Sequence, residues 1–561
     1  MDIYETLKSW IKETLKIKND FVLAHPKDLK NGDYSFFCVT ENPKDQVEKL
    51  EKNKIKEVER IEAVGKFINF YLSKDFFSSV IGEINEKKEK CGENNLLTGG
   101  KILIEHTQPN PFKEFHIGHL MNNAIGESVS RILQACGAEV ISVGYHGDIG
   151  LHVAKAVWAL KYDSKNEKDK KSVFNYAKAY ARGAKAYEED ENAKREIIEI
   201  NKKIYDKSDV LVNEIYERGR RISFEYFDHL YKELGSKFDH HFYESETGEI
   251  GKKIVLENIP KIFTKSEGAV IFKGEEFEPK THTRVFINSD GIPTYEAKEV
   301  GLTQLKREKY DYRQSITVTA NEQDSFFDVV EVAIGEIFPE LKGGLTHLSH
   351  GMLKLSEGKM SSRTGDVITA ESLLAQVKEK VLEKIEDRKF SEEQKKKISK
   401  IVALGAIKYS ILKQAIGGDI IFDFNKSISF EGDSGPYLQY TAVRANSVLE
   451  KSKLQVSRFQ SVFKFLNPKI KRPENFEITE LEKYLYRFPE IVERAGKEYA
   501  PHYIVTYLTE LASVFNGFYA HEQIIDSKNP ASPYKIALTT AVSYVLTSGL
   551  NLLGIEVPER M

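Results

Sequence analysis

The chain has 561 residues, of which 41% are hydrophobic and 30% are charged, and its formal net charge is −3. Its 32 phenylalanines and 27 tyrosines supply enough apolar area for several cores, which excludes an intrinsically disordered chain. The balance of 82 basic and 85 acidic residues excludes a globally basic nucleic-acid coat but leaves room for a local basic groove. At roughly 150 residues per domain, the length predicts three to five domains.

Cysteine content and hydropathy exclude further classes of protein. The three cysteines form no CxxC pair, and no run of about 18 apolar residues occurs. This argues against a disulfide framework, a cysteine-rich zinc site and a membrane span. The amphipathic N-terminus does not resemble a signal peptide. We therefore expect a cytoplasmic protein without a tightly bound metal.

The first 95 residues predict a small α+β unit. Helical spacing covers about 2–17 and about 43–60, and an alternating strand pattern follows at 64–73. The polar, glycine-rich segment 91–100 predicts a domain boundary near residue 95.

A β-loop-α-β unit comes next. The segment KILIEHT (101–107) predicts a strand, and EVISVGY (139–145) predicts another. Between them, apolar residues at helical spacing predict a helix from Ile117 to Cys136, which Gly137 is placed to end. Such a unit indicates a parallel sheet with functional loops at the C-terminal ends of its strands.

The remaining chain predicts a Rossmann-like α/β domain followed by helices. Residues from about 160 to 245 are charged and helical in pattern, which predicts an insertion in that domain. Strand patterns return at 269–274, 284–295, 315–320 and 345–353. The predicted organisation is a parallel-sheet catalytic domain (96–370), a helical connecting segment (371–430) and an all-α C-terminal domain (431–561).

Two histidines flank a glycine at the predicted strand-to-helix turn, in Lys113-Glu-Phe-His116-Ile-Gly118-His119. The glycine would let a flat ring, such as adenine, approach the backbone closely. The helix N-terminus favours phosphate charge, and imidazole N–H groups can donate to phosphate oxygens in a transition state. The alternative is that both histidines are caps or surface residues, which their position in a β-loop-α unit disfavours.

A second polar loop, Lys359-Met-Ser361-Ser362-Arg363, lies far downstream. A lysine, two serines and an arginine in a flexible loop could close over a triphosphate. Alone, such a loop is more often a solvated basic segment. The two motifs in this order form a much more specific combination than either alone.

The two motifs resemble the signatures of class I aminoacyl-tRNA synthetases, and within that class the chain resembles the arginine–tRNA ligase family from end to end. The N-terminal unit is similar to the domain that this family places against the tRNA elbow. Further resemblances are the arginine-site segment Glu105–Asn110, the GDxG turn Gly147–Gly150, the start of the anticodon-binding domain at Asp433–Tyr440, and the ending VPER-Met561.

This resemblance implies a reaction and its ligands. It implies ligation of L-arginine to its tRNA with ATP and Mg²⁺, through an arginyl-adenylate and with release of AMP and pyrophosphate. Catalysis would rest on positioning and charge stabilisation, without a covalent enzyme intermediate. The resemblance also implies that arginine activation needs bound tRNA. We expect a monomer with no DNA or membrane partner.

Site residues follow from the resemblance position by position. The implied catalytic residues are Lys113, His116, His119 and Lys359. The implied ATP-binding residues are His116, Gly118, His119, Lys359 and Ser361. The implied arginine-binding residues are Glu105 and Asn110 at the α-amino end, His116, and Tyr295, Glu299 and Gln323 at the guanidinium end. The implied tRNA-binding residues are Tyr437, Tyr440, Tyr519 and Met561.

The residue types implied for the arginine site suit a guanidinium, although each of three residues also has another possible role. A guanidinium prefers carboxylates and planar acceptors in a fork geometry. Tyr295 and Glu299 lie four residues apart, so on a helix they share one face. Many family members have aspartate where Glu299 stands, which leaves its contact open. The alternatives are core packing for Tyr295, a solvated helix face for Glu299, and a helix cap for Gln323.

The C-terminal tyrosines also have two interpretations. Anticodon bases stack well on aromatic rings. Tyrosines at helical spacing are, however, more often part of a core. Only the resemblance favours RNA contact for Tyr437, Tyr440 and Tyr519.

One position departs from the pattern of the class. The usual second motif, KMSKS, has two lysines, and Ser362 stands where the second would be. A hydroxyl cannot replace that charge, so another cation should reach the same phosphates. Lys113 is the candidate, because similar family members without the second lysine have a lysine there, and Arg363 is the rival.

Three other functions fit the sequence less well. A small-molecule nucleotidyltransferase can share the HxGH turn but is usually far shorter. A catalytically inactive tRNA-binding paralogue is disfavoured by the intact histidines and Lys359. A cysteine–tRNA ligase would need zinc ligands that three scattered cysteines do not supply.

Overall fold

The computed structural model describes residues 3–38, 42–162, 173–356, 368–456 and 472–561. The second motif, from Lys359 to Arg363, lies outside these residues. Among the helices within them, none has the length and apolar character to cross a membrane.

The N-terminal unit is a three-stranded antiparallel sheet covered by helices. Its elements are α1 (Ile3–Leu15), β1 (Tyr34–Phe37), α2 (Pro43–Lys52), β2 (Val58–Val64), β3 (Phe67–Leu72) and α3 (Lys74–Lys87). The strand order is β1-β3-β2. Phe36, Ile68 and Phe70 of this sheet pack with Leu7 and Ile11 of α1 in one buried core. The predicted α+β class of this unit is confirmed.

The helix predicted over about 43–60 is wrong in its second half. The helix ends at Lys52, and Val58–Val64 forms β2, which turns into β3 through Gly65 at φ +59°. The glutamates and arginine of VERIEAV suggested a helix, but helix propensity is a weak preference. Val58 and Ile61 are buried, and pairing with the apolar strand β3 decides the structure.

The second part of the chain alternates strands and helices. In chain order its elements are β4 (Lys101–Glu105), α4 (Ile117–Ala135), β5 (Glu139–His146), α5 (Leu151–Tyr162), α6 (Val173–Glu189), α7 (Glu191–Asp206), α8 (Val210–Leu234), β6 (His240–Tyr243), α9 (Glu244–Glu257), β7 (Thr264–Ser266), β8 (Ala269–Lys273), β9 (Thr283–Ile287), α10 (Tyr295–Lys309), β10 (Gln314–Ala320), α11 (Asp324–Ile337) and β11 (Leu345–His350).

The central sheet has five parallel strands in the order β11-β10-β4-β5-β6. The chain runs outward from β4 through β5 to β6, then returns to the other side of β4 to add β10 and β11. The loops after β4 and β10 therefore diverge, which opens a crevice at their C-terminal ends. The Rossmann-like parallel sheet predicted from the sequence is confirmed. Strands β7, β8 and β9 form a separate antiparallel sheet.

The helical insertion consists of α5 to α8 and is shorter than its sequence pattern. The pattern predicted to about residue 245 stops at Leu234, where Gly235 takes φ +73°. His240–Tyr243 is instead strand β6, paired with β5. Four residues with two histidines give no alternation long enough to stand out beside the helices.

Where the structure describes it, the C-terminal part is helical apart from one short strand pair. Its elements are β12 (Leu353–Leu355), α12 (Ala370–Lys384), α13 (Glu392–Leu412), β13 (Ile420–Phe422), α14 (Phe424–Ser427), α15 (Gly435–Val456), α16 (Glu480–Leu485), α17 (Phe488–Lys497), α18 (His502–His521) and α19 (Ser532–Leu552). Strand β13 pairs in parallel with β12. One apolar core runs from α4 into α13, α15 and α19, so the helical part is fixed against the back of the candidate site.

Candidate active site

The HxGH segment lies at the N-terminus of α4, in the loop that leaves β4. His116 is the N-cap, and its Nδ1 accepts a hydrogen bond from the N–H of Gly118 (3.1 Å). Nδ1 of His119 accepts one from the N–H of His116 (3.2 Å). The two rings stack with centroids 3.7 Å apart. A Cβ at position 118 would stand 2.9 Å from the ring of His116, so the turn favours glycine.

These contacts fix the protonation of both imidazoles. Burial, followed by the charge of Lys113, lowers the pKa of His116. Burial, followed by the neighbouring ring of His116, lowers the pKa of His119 well below its usual range. Both rings are therefore neutral near pH 7, and because each Nδ1 is an acceptor, each proton sits on Nε2. The turn has two uncharged Nε2–H donors beside a helix N-terminus.

The described ends of the second motif's segment are attached close to this turn. Ile117 donates its N–H to the carbonyl of Ile368 (3.1 Å), and Ala370 donates to the carbonyl of Phe115 (2.9 Å). At the other end, Ser356 donates to Phe422 of β13 (3.0 Å). The predicted roles of Lys359, Ser361, Ser362 and Arg363 stay predictions, because these residues lie outside the described part of the chain.

Glu105, the last residue of β4, belongs to a buried ion pair. One carboxylate oxygen lies 2.6 Å from Nζ of Lys306, and the other accepts from the side-chain amide of Gln108 (2.5 Å). Glu105 is 2% exposed and Lys306 is 4% exposed. Sequence reasoning found Glu105 but missed Lys306, because the partners are 201 residues apart and no motif contains the lysine.

The loops after β4 and β5 are joined by polar contacts. Asn110 accepts a hydrogen bond from the N–H of Gly147 through Oδ1 (2.9 Å). Asp148 is fully buried and accepts from Nε of Arg220 (2.8 Å) and from the N–H and hydroxyl of Ser245. The GDxG turn is therefore held by its own aspartate, while Asn110 borders the crevice.

Tyr295 and Glu299 lie four residues apart in the first part of α10, so they share one face of the helix as predicted. Tyr295 is 61% exposed, so the core-packing alternative is wrong. Burial, and after it the charge of Glu105, raises the pKa of Glu299 to about 8. Glu299 is only partly exposed, which disfavours the alternative of a fully solvated helix face.

Glu244 is a further carboxylate, which sequence reasoning missed. It begins α9 directly after β6, and its carboxylate lies 2.6 Å from Nζ of Lys298. Both side chains are about one-tenth exposed, and the lysine ammonium lies 5.0 Å from the ring centroid of Tyr295. A carboxylate directly after a parallel strand is a recognisable signal. It was hidden because β6 was assigned to the helical insertion.

Three carboxylates approach one point of the sheet edge. Burial, and then the charges of Glu244, Glu299 and Glu105, raise the pKa of Tyr145 on β5 well above its usual range. The two lysines already described each pair with one of these carboxylates. Glu299 is therefore the one carboxylate of the three without an ion-pair partner among the described residues, and its raised pKa means that it is mostly ionised only above about pH 8.

Gln323 lies beyond β10 and is exposed. It occupies the N-cap position of α11, but its side chain makes no capping hydrogen bond. The helix-cap alternative is therefore wrong, and the amide is free of that contact. Its predicted contact with arginine stays a prediction.

The predicted tRNA-binding tyrosines are brought together by one arginine. The guanidinium carbon of Arg444 lies 4.9 Å from the ring centroid of Tyr440 and 5.2 Å from that of Tyr519. Arg444 also donates to the side chain of Asn516, which donates in turn to the hydroxyl of Tyr437 (3.0 Å). The three rings are all partly exposed, although Tyr437 also packs against the helical core. Met561 packs against the helical core, and its predicted RNA contact stays a prediction.

Comparison with known proteins agrees with this arrangement. Residues 81–424 match the family described as class I tRNA synthetases (R), catalytic domain, and residues 438–561 match the DALR anticodon binding domain. A parallel sheet with an HxGH turn at its switch point, followed by such a domain, defines a class I aminoacyl-tRNA synthetase.

The relatives identify the branch of that class. The chain is 31% identical over 520 residues to an arginine–tRNA ligase of Borrelia garinii subsp. bavariensis, which covers 89% of this chain and 87% of the relative. It is 31% identical over 525 residues to that of Treponema denticola, covering 91% and 88%. The chain belongs to the arginine–tRNA ligase family and ligates arginine to tRNA with ATP. This membership excludes the small-molecule nucleotidyltransferase and the cysteine–tRNA ligase.

A solved arginyl-tRNA synthetase has the same fold. The structure of Thermus thermophilus arginyl-tRNA synthetase superimposes with a TM-score of 0.80 at 23% identity, over 100% of both chains. This likeness shows that the whole architecture is shared.

Proposed function

We propose that L-arginine binds in the crevice between β4 and α10, with its guanidinium against Glu244, Tyr295 and Glu299. The observation that carries this placement is the carboxyl group of Glu299, which lies near the ion-paired Glu105 and Glu244 and has no ion-pair partner of its own among the described residues. A guanidinium supplies one positive charge and planar donors that suit carboxylates. The exposed amide of Gln323 adds an acceptor from the end of β10.

The other end of arginine lies towards the HxGH turn. Glu105 and Asn110 receive the α-amino group, and His116 lies beside the carboxylate. Lys306 fixes the orientation of the Glu105 carboxylate through their ion pair. This orientation is supported by the loop itself, which leads from Glu105 through Asn110 to His116 and so brings the substrate carboxylate near the phosphates.

ATP lies over the N-terminus of α4, with its adenine near Gly118. A carboxylate oxygen of arginine bonds to the α-phosphorus, the bond to the bridging oxygen breaks, and pyrophosphate leaves. The Nε2–H groups of His116 and His119 donate to the oxygens on which charge builds, together with Lys359 and Ser361. Mg²⁺ enters on the ATP phosphates as part of the substrate. A hydroxyl of the terminal adenosine of tRNA then attacks the arginyl carbonyl, and AMP leaves.

Lys113 supplies the positive charge that Ser362 cannot. It lies three residues before His116 in the same loop, and its burial and the nearby Lys155 lower its pKa. Burial disfavours the charged form of Lys113 in the free enzyme. Its ammonium is therefore stabilised most when negative charge develops on the leaving pyrophosphate. Arg363 is the rival cation for this role.

The outer parts of the chain bind tRNA. The anticodon loop meets Tyr437, Tyr440 and Tyr519 with Met561, and the N-terminal unit (1–95) meets the tRNA elbow. Tyrosine rings offer stacking surfaces to unpaired bases, and Arg444 adds positive charge beside them. The protein acts as a monomer in the cytoplasm.

Replacement of Glu244 by glutamine tests the arginine site. A hydrogen bond to a charged partner contributes about 1.5–3 kcal/mol, so Glu244→Gln should raise KM for arginine roughly 10- to 150-fold. The matched control is Glu308→Gln, at an exposed position further along α10. An arginine KM unchanged by Glu244→Gln would contradict the proposed placement of the guanidinium.

A further inference from the structure

The loop that carries Lys113 is held by the helical insertion. Phe112 takes φ +65° and is fully buried, and its N–H donates to the hydroxyl of Ser223 on α8 (3.0 Å). Its ring meets that of Tyr176 on α6 edge-on, with centroids 5.7 Å apart. A Cβ at Gly219 would stand 2.1 Å from the same ring, so α8 packs directly on it. The position of the loop therefore depends on α6 and α8.

The next residue of the loop contacts the next turn of α6. Nζ of Lys113 lies 4.8 Å from the ring centroid of Tyr180. Tyr176 and Tyr180 are four residues apart and share one face of α6. In the part of the chain that the structure describes, no carboxylate oxygen lies within 4.0 Å of Lys113. An aromatic ring is thus its counterpart.

We propose that Tyr180 is a positioning residue for arginine activation, which holds the ammonium of Lys113 over its ring and leaves the charge of that ammonium available to the pyrophosphate leaving group. This inference rests on the proposed role of Lys113. A ring attracts a cation through its quadrupole without neutralising it. A carboxylate in the same place would cancel the charge that the transition state needs.

The same helix offers a matched control. Tyr187 lies two turns after Tyr180 on α6, and its ring centroid lies 4.3 Å from Nζ of Lys155 and 5.8 Å from Nζ of Lys194. Tyr187 therefore makes the same kind of contact, but with lysines that do not belong to the HxGH loop. Loss of this ring should leave arginine activation unchanged.

Arginine-dependent pyrophosphate exchange, measured with tRNA present, tests the proposal. A cation–π contact contributes about 0.5–2 kcal/mol, so Tyr180→Leu should lower kcat between about 2- and 30-fold. KM for arginine should change little, because the residue acts through the phosphates. Tyr180→Phe, which keeps the ring, should retain most of the activity, and Tyr187→Leu should retain the wild-type kcat.

A double-variant cycle separates this proposal from the one it rests on. If Tyr180 acts through Lys113, Tyr180→Leu should slow the wild-type enzyme but cause no further loss in Lys113→Ala. A wild-type kcat for Lys113→Ala would contradict the role of Lys113 itself. A slow Lys113→Ala with an unaffected Tyr180→Leu would overturn only the role of Tyr180. Additive losses, or equal losses in Tyr180→Leu and Tyr180→Phe, would show a structural effect and also overturn it.

Discussion

The ammonium of Lys306 lies 2.6 Å from the carboxylate of Glu105, and both groups are buried between α10 and the end of β4. Charges at such depth are tolerated only when they are paired. The contact joins the helix that carries Tyr295 and Glu299 to the strand that leads into the HxGH turn. The two halves of the proposed arginine site are therefore fixed relative to each other by one ion pair.

Removal of this lysine should damage both stability and substrate binding. Lys306→Met leaves the carboxylate of Glu105 buried and unpaired, which should destabilise the enzyme by about 3–5 kcal/mol. Urea-induced unfolding followed by fluorescence measures the loss, and KM for arginine should rise with it. The double variant Glu105→Met/Lys306→Met should regain much of the stability but not the KM. Equal stability of Lys306→Met and the wild type would contradict this account of the pair.

Arginine binding should depend on pH through Glu299. Because burial and the charge of Glu105 raise the pKa of Glu299 to about 8, most of the population is protonated at neutral pH. A guanidinium needs the ionised carboxylate, so KM for arginine should fall as pH rises towards 8 and level off above it. Initial charging rates across about pH 6 to 9 measure this. Glu299→Gln should show a high KM without that slope, and an identical slope in this variant would assign the titration to another group.

The Nε2–H donor of His119 should act in the transition state. His119→Asn can keep an acceptor near Nδ1 for the N–H of His116 but removes the donor at Nε2. Losing one such donor costs about 10²–10³ in kcat, so pyrophosphate exchange should fall by that factor while the melting temperature stays near the wild-type value. Because burial lowers the pKa of both histidines, kcat should not depend on their protonation near pH 7. A kcat near the wild-type value for His119→Asn would exclude this donor from catalysis.

If tyrosines of the helical domain stack on tRNA bases, removal of one of these rings should lower the affinity for tRNA. Tyr440→Ala should weaken tRNA binding by about 1–3 kcal/mol if the ring stacks on a base. The matched control is Tyr503→Ala, whose ring also lies against an arginine, 3.8 Å from the guanidinium carbon of Arg494. Filter binding gives the affinities. A lower melting temperature with unchanged tRNA affinity for Tyr440→Ala would show that the ring is structural.

Much of the architecture follows from the sequence because its strongest signals are local. The strand KILIE, the HxGH turn and the helix from Ile117 are adjacent in the chain, and their apolar periodicity is clear. The strand β6 was missed because HHFY is short and half-polar. The strand β2 was missed because its charged residues favour a helix until β3 pairs with it.

The site was harder to predict than the fold because its pairs join distant segments. Lys306 reaches Glu105 across 201 residues, and Lys298 reaches Glu244 across 54. Neither lysine belongs to a motif, and only the folded sheet brings them to the carboxylates. The resemblance supplied the positions of Glu105, Asn110, Tyr295 and Glu299, but not the cations that balance them.

Glu244 and Glu299 should receive the guanidinium of arginine at the C-terminal edge of the sheet. A crystal structure of the protein with bound L-arginine tests it most directly. We predict guanidinium nitrogens within about 3.2 Å of both carboxylates, with the phenol of Tyr295 alongside and the α-amino group near Glu105. A bound arginine whose guanidinium contacts neither Glu244 nor Glu299 would contradict the account.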